Sequence, residues 1–155
     1  MADLRQAFFN FAGDLAREDK DVIVLVGDLG YSFMEDFAKE FPDQFVNCGI
    51  AEQNMVGVSA GLARAGKKPF VYSGALFLMA RALEQIRVDI AYQNLNVKLV
   101  GTGASGFLGF THNLGEDEFY DDAMKRYPNL KCVNPTDEEQ LKWHMSFDGP
   151  RFIKL

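Results

Sequence analysis

Short apolar runs alternate along this chain with stretches of helical periodicity, and that alternation limits the fold more than any other feature. Asp21-Val22-Ile23-Val24-Leu25-Val26 is a continuous apolar run closed by Gly27-Asp28. Such a run suits a strand covered on both faces. Phe45-Val46-Asn47-Cys48, Phe70-Val71-Tyr72, Asn96-Val97-Lys98-Leu99-Val100, Lys131-Cys132-Val133-Asn134-Pro135 and Arg151-Phe152-Ile153-Lys154-Leu155 read as further strands. Between them, residues 2–18 carry an apolar stripe of Leu4, Ala7, Phe8, Phe11, Ala12 and Leu15 at helical spacing. Residues 32–41, 52–65, 76–92, 118–126 and 136–147 read as the other helices. In the helix over 52–65, Met55, Val58 and Leu62 are expected to face inward, with Gly57, Ala60 and Gly61 allowing close approach. In 76–92 the inward set is Met79, Leu83, Ile86 and Ile90. Thr136, with Glu139 three residues on, is a capping-box start for the last helix.

Strands alternating with helices predict right-handed crossovers and helices on both faces of the sheet. The expected fold is α/β: one domain over 1–155, three layers (α/β/α), around a mostly parallel six-stranded sheet. In such folds ligands bind at the carboxyl ends of the strands. Glu52, Ser73-Gly74, the glycine-rich stretch 101–115 and Asn134-Pro135 all fall at such ends. That stretch is too long and glycine-rich for a plain connection and reads as a functional loop.

Charge narrows the partners. With 16 Lys plus Arg against 22 Asp plus Glu, the formal net charge is −6. This argues against nucleic acid or an anionic membrane surface, while local cations still permit a small anionic ligand. Cys48 and Cys132 lie far apart in strand-like segments and read as core thiols, with no disulfide or metal site. No signal-like start and no apolar run of about 18 residues occurs, so a cytoplasmic location is expected.

Gly49-Ile50-Ala51-Glu52-Gln53-Asn54 places one carboxylate where a glycine turn enters a helix. On placement alone, Glu52 either complements the helix dipole or carries chemistry. The hexapeptide resembles the pyrimidine-binding domain of the transketolase group of thiamine-diphosphate enzymes. Asp28, Arg81-Ala82-Leu83-Glu84-Gln85-Ile86-Arg87, Pro128-Asn129-Leu130, Asn134-Pro135-Thr136-Asp137 and Gly149 to Leu155 follow in family order, so the resemblance covers essentially the whole chain. It implies that Glu52 contacts N1′ of the cofactor's aminopyrimidine and is the acid–base partner in its activation. The family's aromatic that packs on the pyrimidine falls on Phe77 or, at the strict position, on Leu78. Arg81 is expected to point toward the cofactor or a substrate phosphate, or else to lie on an outer helix face.

Gly106-Phe107-Leu108-Gly109-Phe110-Thr111-His112 resembles the family's substrate loop, which makes His112 a candidate for proton transfer at the substrate. Pairing Gly115-Glu116-Asp117 with the family's Gly-Glu-Asp instead displaces His112 from that role. Leu108 and Phe110 depart from the family's aspartate and proline, which puts the usual ketose-phosphate substrate in question. Gly27-Asp28-Leu29-Gly30 is not the family's metal-binding Gly-Asp-Gly. The resemblance therefore implies a separate diphosphate-binding subunit in a heterotetramer or other hetero-oligomer, with thiamine diphosphate and Mg²⁺ held between chains. The expected reaction is transfer of a two-carbon ketol unit between sugars or sugar phosphates. A 1-deoxyxylulose-5-phosphate-synthase-like half, a 2-oxoacid dehydrogenase β-like half, and a non-catalytic assembly or regulatory subunit are the alternatives.

Overall fold

The computed structural model describes residues 3–103 and 118–155. Its six strands are β1 (Val22–Val26), β2 (Phe45–Asn47), β3 (Lys68–Gly74), β4 (Lys98–Thr102), β5 (Lys131–Val133) and β6 (Arg151–Lys154). They form one sheet in the order β2-β1-β3-β4-β6-β5, with every neighbouring pair parallel. The expected α/β architecture is thus present, and the sheet is parallel throughout.

Side-chain alternation along the central strands divides the interior into two cores. Val22, Val24 and Val26 of β1 face one side, with Phe70 and Tyr72 of β3, Val100 and Ile153. There they meet α1 (Leu4–Glu18), α2 (Glu35–Glu40) and α6 (Glu138–Ser146) through Phe8, Phe9, Phe37, Leu141 and Met145. Ile23, Leu25, Val71, Leu99 and Phe152 face the other side. Over them lie α3 (Glu52–Arg64), the helical stretch 77–91 and α5 (Glu118–Lys125), through residues such as Met55, Ile86, Ile90 and Met124. Phe8 stacks on Tyr72 with ring centroids 5.4 Å apart, an arrangement that anchors α1 to β3 beyond simple area burial.

Four details differ from the sequence reading. In α3 the buried face is Glu52, Met55, Val56, Ser59 and Ala60; Val58 is exposed, and Gly57 and Gly61 have nothing near them. The sheet therefore takes the strip one residue round from the predicted one, and those glycines lie on the open face. The stretch 77–91 is wound as π-helix over Phe77–Arg81 and Ile86–Ala91 about a short α4 (Leu83–Gln85). The wider winding slips the inward face, so Leu78, Met79, Ala82, Ile86, Ile90 and Ala91 are buried and Leu83 is only partly so. The cap of α6 is Asp137, whose side chain accepts from the Gln140 backbone N–H at 2.8 Å; Thr136 sits one residue outside and its hydroxyl accepts from Gln140 Nε2. Cys48 and Cys132 belong to the edge of the sheet and are half-buried, with no disulfide.

Candidate active site at the carboxyl edge of β1 and β3

The sheet order decides where a ligand can enter. From β1 the chain moves outward to β2, then crosses back to β3 on the other side of β1. The connections after β1 and β3 therefore diverge, and a crevice opens between them at the carboxyl edge. A cavity of about 440 Å³ occupies that crevice, a volume typical of small-molecule sites. Its walls include Gly27, Asp28 and Tyr31 after β1, Ile50 and Glu52 before and within α3, and Tyr72, Phe77, Arg81 and Thr102.

Two backbone continuations and a glycine turn bring these groups together. Gly27 N–H donates to the Tyr72 carbonyl at 3.0 Å, and Cys48 N–H donates to the Val26 carbonyl at 2.9 Å. The ladders thus run one residue past the strands, setting Gly27 beside Ser73 and Cys48 beside the end of β1. Gly49 takes φ +70, a conformation that favours glycine, and swings the chain into α3. Asn47 secures the turn: its Oδ1 accepts from Asp28 N–H and Gly49 N–H, and its Nδ2 donates to Asp28 Oδ1.

Glu52 opens α3, where the helix dipole favours a carboxylate. The same residue is 2% exposed, far more buried than a dipole-complementing surface acid needs to be. Both its oxygens are engaged. Ser73 Oγ donates to Oε1 at 2.9 Å and Arg81 Nη1 donates to Oε2 at 3.0 Å. Removing a carboxylate from water without such donors is costly; here a hydroxyl and a guanidinium supply them.

Phe77 and Leu78, the two sequence candidates for the stacking position, part company. Phe77 lines the cavity, and the Arg81 guanidinium carbon lies 4.1 Å from its ring centroid. Leu78 is fully buried in the core that this stretch shares with α3. Arg81 faces the cavity and Glu52 together, so the structure places it on the site and not on an outer helix face. His112, Leu108 and the rest of the predicted substrate loop lie outside the described residues.

Some cavity groups carried no sequence signal. Arg5 lines the cavity because α1 runs antiparallel to the strands, which puts its first turn at their carboxyl edge. Its guanidinium pairs with Asp3 at 2.6 Å and lies over the Phe33 ring. The hydrogen bond from Arg5 to Asp3 holds the Arg5 pKa above the ordinary value. Asp28, at φ +53, accepts from the Tyr31 hydroxyl at 2.6 Å. That bond, helped by Asn47, holds the Asp28 carboxyl below its usual range. Burial pushes the Tyr72 phenol up, with a hydrogen bond to Thr102 acting the other way. Among the described residues, no group of three or more His, Cys, Asp or Glu side chains is placed to hold a metal ion, and no helix is long and apolar enough to cross a membrane.

Comparison with known proteins places this geometry in a family. The chain is 46% identical to an apulose-4-phosphate transketolase subunit of Phocaeicola vulgatus, an alignment covering 100% of this chain and 51% of that protein. It is 36% identical to a putative transketolase C-terminal section of Methanocaldococcus jannaschii, covering 98% of this chain and 50% of the relative. The chain thus spans about half the length of these curated relatives. A solved structure described as a split gene transketolase, inactive beta4 tetramer, superposes with a TM-score of 0.83 at 38% identity, over 97% of this chain and 50% of that one. The family described as transketolase, pyrimidine binding domain, matches residues 1–147, and the chain belongs to it.

Proposed function

We propose that this chain is the pyrimidine-binding half of a transketolase-like transferase, working with a separate diphosphate-binding subunit, thiamine diphosphate and Mg²⁺. The observation that carries the reading is Glu52: a carboxylate 2% exposed on the wall of an aromatic-walled cavity of about 440 Å³. A buried acid, an aromatic face at Phe77 and a crevice of that volume fit a flat heteroaromatic ring with a basic nitrogen. When bound, thiamine diphosphate supplies the electron sink that cleavage of a carbon–carbon bond beside a carbonyl requires.

The chain's own residues then have distinct tasks. Glu52 holds and moves a proton at the oxygen facing the cavity, the role of a positioned general acid–base. Phe77 gives its ring face to the pyrimidine, a task that Leu78 in the core cannot perform. Arg81 and Arg5 place two guanidiniums on the cavity wall, each paired with a carboxylate, and a substrate phosphate would have to compete with those partners. His112 assists proton transfer at the substrate. The reaction is transfer of a two-carbon ketol unit between sugars.

A partner is supported by the surface around the site. Ile50 lines the cavity and is 75% exposed, and Val46 on β2 and Val58 on α3, the elements that flank it in the chain, are exposed too. The Gly57 and Gly61 positions of α3 are open beside them. Apolar groups gathered at the rim of a site mark an interaction surface more often than an idle one. The names of the relatives, one a transketolase subunit and the other a C-terminal section, agree with a hetero-oligomer.

Calorimetric titration with thiamine diphosphate and Mg²⁺ tests the division of labour. The chain alone is expected to bind the cofactor weakly, and the chain mixed with its diphosphate-binding subunit to bind it at least a hundredfold more tightly. Equal affinity with and without the partner contradicts the proposal.

A further inference from the structure

We propose that Ser73 is a positioning residue of this site: its hydroxyl, seated against the bare backbone of Gly27, fixes the Glu52 carboxylate so that Oε2 is the oxygen offered to the cavity. This rests on the reading of Glu52 as the proton carrier.

Burial sets the two donors to Glu52 apart. Ser73 is fully buried, on a strand paired on both sides. It therefore keeps its place whatever enters the crevice. Arg81 has a side chain 44% exposed and belongs to the π-helical turn Phe77–Arg81. A guanidinium that now covers Phe77 must yield part of that face to a stacked ring, and its long side chain can do so. Ser73 is thus the donor that stays. With Oε1 committed to Ser73 at 2.9 Å, Oε2 lies on the cavity side, where Arg81 meets it.

Gly27 makes room for this arrangement. A Cβ at that position would stand 2.9 Å from Ser73 Oγ, 3.3 Å from Ser73 Cβ and 3.3 Å from Met55 Cε. The first distance is closer than real contacts allow, so a side chain at 27 forces the hydroxyl out of its present place beside Glu52 or moves the backbone that carries it. A hydrogen bond to a charged acceptor is stronger than one between neutral groups. Ser73 therefore aims the carboxylate, fixing Oε1 so that Oε2 is left for the cavity.

The test uses the chain assembled with its diphosphate-binding subunit, measuring thiamine-diphosphate affinity and the kcat and sugar KM of ketol transfer. Ser73→Ala, which removes one oxygen, is expected to weaken cofactor binding about tenfold and to lower kcat while leaving the sugar KM near wild type. Gly27→Ala is expected to give both changes by displacing the hydroxyl, and the double variant to be no worse than the worse single one. Should Ser73→Ala fail to assemble, Gly27→Ala alone carries the same test. If affinity and kcat match wild type in the assembled variants while Glu52→Gln silences transfer, Ser73 does not position the carboxylate and the reading of Glu52 stands. If Glu52→Gln transfers at the wild-type rate, both fall together.

Discussion

Phe77 and Leu78 are adjacent in sequence, yet one lines the cavity and the other is fully buried in the core. Truncating them separates function from folding. Phe77→Ala is expected to weaken cofactor binding in the assembled complex roughly tenfold through loss of a ring face, with little change in melting temperature. Leu78→Ala is expected to cost about 2–5 kcal/mol of stability, the range for emptying a packed core position, as read by denaturant unfolding. Lys98 offers a different test. It is 3% exposed, and its ammonium donates to Asn96 Oδ1 and, at 3.1 Å, to the Gly149 carbonyl. Burial, with Arg151 nearby, brings its pKa down to about 8, while Asp148 acts in the opposite sense. The folded state therefore holds this proton less tightly than the unfolded chain. The cost of burying the charge is present in full below about pH 8 and is relieved as pH rises toward the unfolded value. Between pH 8 and the ordinary lysine range, stability should rise with pH by an amount on the order of 2–3 kcal/mol. Lys98→Met, compared by urea unfolding across that range, should lose this slope.

Among the elements, the strands were legible because continuous apolar runs leave few other choices, and each predicted run holds a strand within a residue or two. Helix faces were less so. The sequence pattern of α3 offered Val58 inward, but the side that faces the sheet is set by the Gly49 turn, and the helix enters with Glu52 and Met55 inward. The π-winding of Phe77–Arg81 and Ile86–Ala91 has no periodicity that separates it from an ordinary amphipathic helix. Phe77 and Arg81 lie together on the cavity, as residues four apart also do on an ordinary helix; the winding shows instead in the buried set, where Leu78 and Ala82 replace Leu83. At α6 the cap moved by one residue, since Asp137, not Thr136, has its carboxylate at the helix start. Asp137→Ala is expected to cost about 1 kcal/mol, and Thr136→Ala clearly less, in matched thermal or urea denaturation.

At the scale of the whole molecule, the fold brings residues 5, 28, 52, 73, 77 and 81 to one edge of a parallel sheet. The hexapeptide marked Glu52 in the sequence, and the fold puts that carboxylate, 2% exposed, on the cavity wall. Arg5 and the bond from Ser73 to Glu52 were not readable, because only the strand order and the direction of α1 bring those groups together. Under the proposed function the site is half of a shared one, with the proton-handling carboxylate on this chain and the diphosphate grip on another. The most direct measurement is ketol transfer by the reconstituted pair, with wild-type chain and with Glu52→Gln. The account predicts that the variant pair still assembles and takes up cofactor while turnover falls at least about a hundredfold, as loss of a general acid–base demands. A Glu52→Gln pair that binds cofactor and turns over at the wild-type rate would contradict it.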